Sequence, residues 1–307
     1  MGLRIRTNVS SINAQRRLAT STSALQESSS KLASGKRINK AADDAAGLAI
    51  SSNLNADIRS LSQAKRNAAD GVSLVQTAEG GLVETTSMLT RLRELAVQGA
   101  NDTVGAIERG FLSKEFVALK DEIDRIANAT EFNGTRLLVG ESDVAEDVAN
   151  ADGTFPLEIQ IGKDYYESSD DVGERNQVNI IKIDLKNINA FTEGEGSLDI
   201  GSANEGTQVD SKEGAQNSIM KLDDAIVKVS DYRAYLGSIQ NRLGSTMNNL
   251  GVQIENLSTA TSRIQDTDFA SETANYTSQK ILQQAGSSVL AQANQQPQIA
   301  LGLVQSL

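Results

Sequence analysis

Between residues 219 and 264 the sequence keeps a seven-residue apolar repeat in phase without a proline. Stepping alternately by three and four from Ile219 gives Leu222, Ile226, Val229, Arg233, Leu236, Gln240, Leu243, Met247, Leu250, Ile254, Leu257, Thr261 and Ile264, and eleven of these fourteen positions are apolar. Such a repeat specifies one continuous helix with a coiled-coil seam, about 70 Å long at ~1.5 Å per residue. A single helix cannot bury that seam, so the rest of the chain must supply partners. Two candidates stand upstream. Leu54, Ile58, Leu61, Ala68, Val72, Val75, Leu82 and Leu89 follow the same stepping, interrupted by Lys65, Glu79 and Thr86, and Leu112, Phe116, Leu119, Ile123 and Ile126 resume it after a break at 99–105. Asn101, Asp102 and Gly105 tolerate the backbone angles of a reversal, and the Glu131-Phe132-Asn133-Gly134 stretch is expected to end the third helix with an αL-tolerant pair.

The middle of the chain has a different period. Phe155, Leu157, Ile159 and Ile161 alternate with polar residues, as do Ile181, Ile183 and Leu185, which predicts a β-hairpin whose long loop holds the acidic segment 164–176. Gly194, Gly196, Gly201 and Gly206 then predict a flexible return to the long helix. The fold class is therefore mainly α, a long antiparallel helical bundle with a small β-hairpin region. Three segments follow: 1–44 and 265–307 as the two parts of a discontinuous terminal helical domain, and 45–264 as a helical rod with its β-rich portion at about 140–206.

Both ends of the chain are thinly amphipathic. Ile5, Val9 and Ile12 form one stripe, Leu18, Leu25 and Leu32 another at heptad spacing, and Leu282, Ala285, Val289 and Ala293 a third. Ordering a residue costs about 1–2 kcal/mol of backbone entropy, which stripes this sparse do not offset in an isolated pair. The termini are expected to stay disordered in the monomer and to fold only where neighbouring copies bury their faces.

The chemistry available is narrow. The chain has no His and no Cys, which removes the commonest general base, the usual zinc ligand, thiolate sites and disulfides. No cofactor or metal is expected, and no enzyme activity. A formal net charge of -11 opposes nucleic acid and anionic lipid, no apolar run reaches membrane-spanning length, and the N-terminal residues lack the apolar core of a secretory signal. Asp43-Asp44 ahead of Ala45 is more economically a helix N-cap than a carboxylate pair for acid-base work. Six Asn-X-Ser/Thr matches, beginning at Asn8 and Asn101, are what chance yields in so polar a chain.

Several motifs in order resemble one family across nearly the whole chain. Arg4-Ile5-Arg6-Thr7-Asn8, Leu32-Ala33-Ser34-Gly35-Lys36-Arg37-Ile38-Asn39 and Ala42-Asp43-Asp44-Ala45-Ala46-Gly47-Leu48-Ala49-Ile50 are similar to the head of bacterial flagellins. Gln240-Asn241-Arg242-Leu243, Ser262-Arg263-Ile264-Gln265-Asp266-Thr267-Asp268 and Gln292-Ala293-Asn294-Gln295-Gln296-Pro297 are similar to the tail. The sequence departs from the family pattern at Gly237-Ser238, where Gly-Ala is frequent, and at the terminal Leu303-Val304-Gln305-Ser306-Leu307.

The resemblance implies a short, two-domain flagellin, a structural subunit that self-assembles into the flagellar filament for motility. Its implied partners are further copies of itself in a helical homopolymer, the flagellar type III export apparatus and an export chaperone, and the filament cap and hook-junction proteins. The implied location is outside the cell, as a secreted protein of the flagellum. Assembly would rest on Ile5, Val9, Ile12, Leu18, Leu25, Leu32, Leu282 and Val289. The segment Arg91-Leu92-Arg93-Glu94-Leu95-Ala96-Val97-Gln98 reads on its own as a charged face over a core of Leu92 and Leu95. By resemblance, Arg91, Leu95 and Glu115 match the positions that flagellins present to the innate immune receptor TLR5. A hook-associated junction protein shares the terminal helical plan, a chemoreceptor-type coiled coil would want a membrane span, and a flagellin with a zinc-protease insert would need His ligands.

Overall fold

A computed structural model describes residues 8–140, 156–164, 178–194, 196–202 and 206–305. Among them the chain forms five helices: α1 (Val9–Ser34), α2 (Ala45–Gly99), α3 (Ala106–Ala129), α4 (Lys212–Gln265) and α5 (Phe269–Gln305). Four short strands, β1 (Glu131–Phe132), β2 (Thr135–Arg136), β3 (Leu157–Gln160) and β4 (Ile180–Ile183), pair as two antiparallel hairpins. Two compact units result, one of residues 1–58 with 255–307 and one of residues 59–254, so α2 and α4 contribute to both.

The larger unit holds the main core. Every seventh residue of α4, from Leu222 through Val229, Leu236 and Leu243 to Leu250, is buried as the repeat requires. The second row is not the one the stepping predicted. Ala225 and Ile239 are buried, whereas Ile226, Arg233 and Gln240 are only half covered. The helix α2 shows the same displacement. Leu61, Ala68, Val75, Leu82 and Leu89 are buried as expected, but the alternate row runs through Ala64, Gly71, Ala78, Thr85 and Leu92, one residue before Lys65, Glu79 and Thr86. The polar residues that interrupted the predicted seams therefore lie on its flank. Small side chains hide the true row from a search for large apolar residues, and they are what lets another segment come close. Gly71 is the clearest case, because a Cβ there would stand 2.6 Å from the Ile159 Cδ1 of β3.

From α3, Phe116, Ile123 and Ala127 complete the helical part of the core. Arg109 ties down the reversal before α3 by donating to the Gly99 and Asn101 carbonyls at 2.8 and 3.0 Å. The Asn133-Gly134 pair does not cap α3, which ends at Ala129. With φ of 52° and 80° these two residues form the turn between β1 and β2, where Phe132 faces Thr135. Two successive positive φ values are the mark of a two-residue hairpin turn, and Asn-Gly is its preferred sequence.

β3 and β4 pair with Leu157 opposite Ile183 and Ile159 opposite Ile181, as the alternation predicted. Phe155 and most of the acidic loop lie outside the described residues. The glycine-rich return is not flexible in the predicted sense. Gly194, Gly196, Gly201 and Gly206 all have positive φ, and among the described residues Ser197, Leu198 and Ile200 between them, with Thr192, Thr207 and Val209 on either side, are buried. The glycines turn a packed strap of chain, which delivers Leu198, Ile200 and Val209 to the core.

Candidate assembly surface

In the smaller unit α1 and α5 run antiparallel along one another. Asn8 Nδ2 donates to the Ala293 carbonyl at 2.7 Å, Ser11 Oγ to Asn294 Oδ1 at 2.7 Å, and Gln283 Nε2 to Thr22 Oγ1 at 3.3 Å, so residue numbers rise in one helix as they fall in the other. The row on α1 that faces α5 runs through Ser11, Leu18, Leu25, Ser28 and Leu32, all buried or half-buried. On α5 the facing row is Tyr276, Gln283, Gly286, Leu290 and Ala293, with Gly286 beneath Leu18.

The eight residues expected to carry assembly fall into three groups. Leu18, Leu25 and Leu32 line the seam within the pair. Val9 and Ile12 on α1 point outward, 61% and 52% exposed, as do Leu282 and Val289 on α5, 51% and 56% exposed. Ile5 lies outside the described residues. Phe269 and Ile281 are exposed too, and the sequence reading missed them because Ile281 sits one place off the stripe it followed. An apolar stripe left in water on both helices of a thin pair is the signature of a surface that another molecule covers.

The ends of these helices are fixed by the residues of the family-like motifs. Gly35, at φ 69°, closes α1, and beyond it Lys36 forms an antiparallel bridge with Asp266. Arg37 N–H donates to the Gln265 carbonyl at 2.7 Å, Thr267 N–H to the Gly35 carbonyl at 3.0 Å, and Arg37 Nη2 to the Ile264 carbonyl at 2.7 Å. The breaks after α1 and after α4 thus hold each other, and Arg37 satisfies a carbonyl that the end of α4 would otherwise leave bare.

Asp44 and Asp268 act as N-caps. Asp44 Oδ1 accepts from Gly47 N–H at 2.8 Å, and Asp268 Oδ1 accepts from Ala270 and Ser271 at 2.9 and 3.3 Å. Asp43 accepts the Asn39 and Lys40 N–H groups, both at 2.9 Å, which hold its carboxyl below the usual carboxylate range. Both acids are occupied by backbone.

The second expected surface is split by the structure. Arg91 donates to Glu115 at 2.8 Å and to Glu94 at 2.9 Å, and these hydrogen bonds raise its pKa. All three side chains are well exposed. Leu95, expected to stand beside them, is 1% exposed and belongs to the core. Three residues after the buried Leu92 on α2, it shares that residue's inward face, which is the arrangement the helical period alone implied. Arg93 of α2 pairs across to Asp223 of α4 on the neighbouring surface.

No helix among the described residues is long and apolar enough to cross a membrane, and no cluster of acidic side chains there could hold a metal ion. Comparison with known proteins gives a consistent answer. Residues 5–143 match the bacterial flagellin N-terminal helical region and residues 219–304 the bacterial flagellin C-terminal helical region. A flagellin of Bacillus subtilis (strain 168) is 41% identical, with 98% of this chain and 100% of that protein aligned. A flagellin of Halalkalibacterium halodurans is 40% identical over 97% of this chain and 98% of its own length. Among solved structures, a putative flagellar hook-associated protein from Vibrio parahaemolyticus shares the fold at a TM-score of 0.54 and 16% identity, over 73% of this chain and 100% of that one. Two family regions at the two ends, and relatives that align from end to end, establish that the chain belongs to the bacterial flagellin family: it is a structural subunit that self-assembles into the flagellar filament, and not an enzyme.

Proposed function

We propose that the homopolymer forms by covering the outward stripe of the terminal pair, with Val9, Ile12, Leu282 and Val289 buried against neighbouring copies and Ile5 among the residues that carry assembly. The carrying observation is the exposure of large apolar side chains on both helices of the pair, in addition to those that line its internal seam. Each such side chain stabilises by about 1.5–3 kcal/mol when fully buried, and roughly half of that is still unrealised in the isolated subunit. The Leu18, Leu25 and Leu32 seam supports this surface from inside. On the same reading the pair gains order as the stripe is covered.

Membership of the family supports the remaining partners as part of the same proposal. The subunit passes through the flagellar type III export apparatus with an export chaperone, and it meets the filament cap and hook-junction proteins in the flagellum outside the cell. A free subunit offers TLR5 the paired charges of Arg91 and Glu115, with Leu95 supporting that part of α2 from beneath.

Leu282→Asp tests the assembly surface. Leu282 is half exposed, so the substitution leaves the helices of the larger unit folded by circular dichroism, while elongation of seeded filaments stops. Normal filaments from this variant would refute the assignment.

A further inference from the structure

The strap between β4 and α4, described at 191–194, 196–202 and 206–209, is gripped from below by two side chains of α3. Asp124 accepts from the Thr192 N–H and from its hydroxyl, each at 2.8 Å. One turn earlier Lys120 has none of its surface exposed and donates to the Thr207 carbonyl at 3.2 Å, with its ammonium 5.9 Å from the Phe116 ring centroid. From α4, Lys228 donates to the Ser197 carbonyl at 3.0 Å. Leu198, Ile200 and Val209 enter the core between these anchors. The described part of the strap thus helps to roof a lysine, because its Thr207 carbonyl accepts from Lys120. Lifting the strap would return the amine to water.

Taking an ammonium out of water is costly even where a carbonyl and an aromatic face receive it. We propose that the strap is a proton-linked clasp: in alkaline solution, closing it over Lys120 releases a proton from the ammonium to solvent, and opening it takes that proton back. The charges around the amine come from each element packed against it. Burial acts most strongly and lowers the lysine pKa, Asp124, Glu193 and Asp121 oppose it, and Lys221 adds to it, leaving a value of about 8 against an ordinary 10.5. Below pH 8 both states hold the proton, and opening is independent of pH. Between pH 8 and 10.5 only the open state holds it, so the opening constant falls tenfold per pH unit, roughly 300-fold in all.

The test uses the full chain with 13Cε-labelled lysine. One lysine resonance, identified by its loss in Lys120→Met, is expected to titrate near pH 8. Over the same range the amides of Ile200 and Thr207, which donate to the Thr192 and Ile200 carbonyls at 3.1 and 2.8 Å, gain protection against hydrogen exchange after correction for the intrinsic rate. Ile200→Ser removes a buried anchor of the strap, so the Lys120 resonance then moves toward the ordinary lysine range while the helices stay folded. If that variant unfolds, Thr192→Val weakens the Asp124 anchor alone and is expected to raise the same titration. A Lys120 that titrates with the surface lysines in the wild type overturns the proposal. So does one that stays near pH 8 in a variant whose strap amides have become unprotected.

Discussion

Replacing Leu95 by alanine separates a residue that a partner touches from one that holds the surface in place. Leu95 is 1% exposed, within a cluster that includes Leu92, Phe116 and Leu222. Truncation of a leucine so enclosed removes its transfer free energy and leaves a cavity, which together cost about 2.7–5.0 kcal/mol. In a unit of this size each kcal/mol lowers the melting temperature by about 2–4 °C, so the expected fall is on the order of 5–20 °C. A leucine on the surface would cost about 0.5 kcal/mol or less. Thermal unfolding of the monomeric subunit, followed at 222 nm, distinguishes the two directly. Arg91→Ala serves as the contrast, since Arg91 is exposed and its removal leaves the melting curve near that of wild type. In a TLR5 reporter assay below both transitions, Arg91→Ala is expected to lose signalling with its stability intact. Leu95→Ala is expected to lose signalling only as far as it loses folded protein. A Leu95→Ala protein that melts with wild type and yet fails to signal would show that the leucine is presented to the receptor, and would refute its place in the core.

Three further substitutions probe the packing. Gly47→Ala places a Cβ 2.8 Å from Ile38 Cδ1 and against the Asp44 carboxylate that caps α2; overpacking of this kind costs about 1–3 kcal/mol, measurable as a lower urea midpoint. Asp268→Ala leaves the first turn of α5 without its cap, which costs about 1 kcal/mol and should raise the protein concentration needed for filament growth. Lys120→Met removes a charge that the folded state holds less well than the unfolded chain, since burial lowers its pKa to about 8. It is expected to raise stability by about 1–3 kcal/mol at pH 7 in urea titrations. That advantage shrinks as pH rises from 8 toward 10.5, because the wild-type lysine is then already neutral when folded.

The parts of the fold legible in the sequence are those that large apolar side chains write. The row of every seventh residue in α2 and α4 and the alternation at 157–161 and 181–185 are made almost wholly of large apolar side chains, so their period survives in the one-dimensional pattern. The second row of each long helix was misplaced by one residue because Ala64, Gly71, Ala78 and Ala225 contribute closeness and little apolar bulk. The strap was misread for a related reason. Its glycines resemble those of a flexible linker, and only the burial of the residues between them distinguishes a packed turn from a loose one. Asn133-Gly134 suits either a helix end or a hairpin turn, and strands of two residues are too short to show the alternation that would decide. Leu95 was legible from helical periodicity, which placed it with Leu92, and it was the family resemblance that drew it to the surface.

The terminal pair distributes its side chains in a way that bears on how filament growth and folding are linked. In a two-helix hairpin that stands alone, the largest apolar residues face the partner helix. Here α5 turns Tyr276, Leu290 and the small Gly286 and Ala293 toward α1 and leaves Phe269, Ile281, Leu282 and Val289 outside. Only part of its apolar surface therefore lies in the seam, and hydrogen bonds share in the alignment. Ser11 with Asn294, Thr22 with Gln283, and Asn8 with the Ala293 carbonyl hold positions along the length of the pair that a slip of one residue would break. Such bonds add little net stability in contact with water, but they discriminate strongly between registers. The subunit thus has a pair whose alignment is specified internally and whose outward apolar side chains are left over. On the proposed reading, neighbouring copies supply the missing burial. Each copy that docks stabilises the pair it joins as well as the contact it makes, so ordering of the termini and growth of the filament share the same free energy.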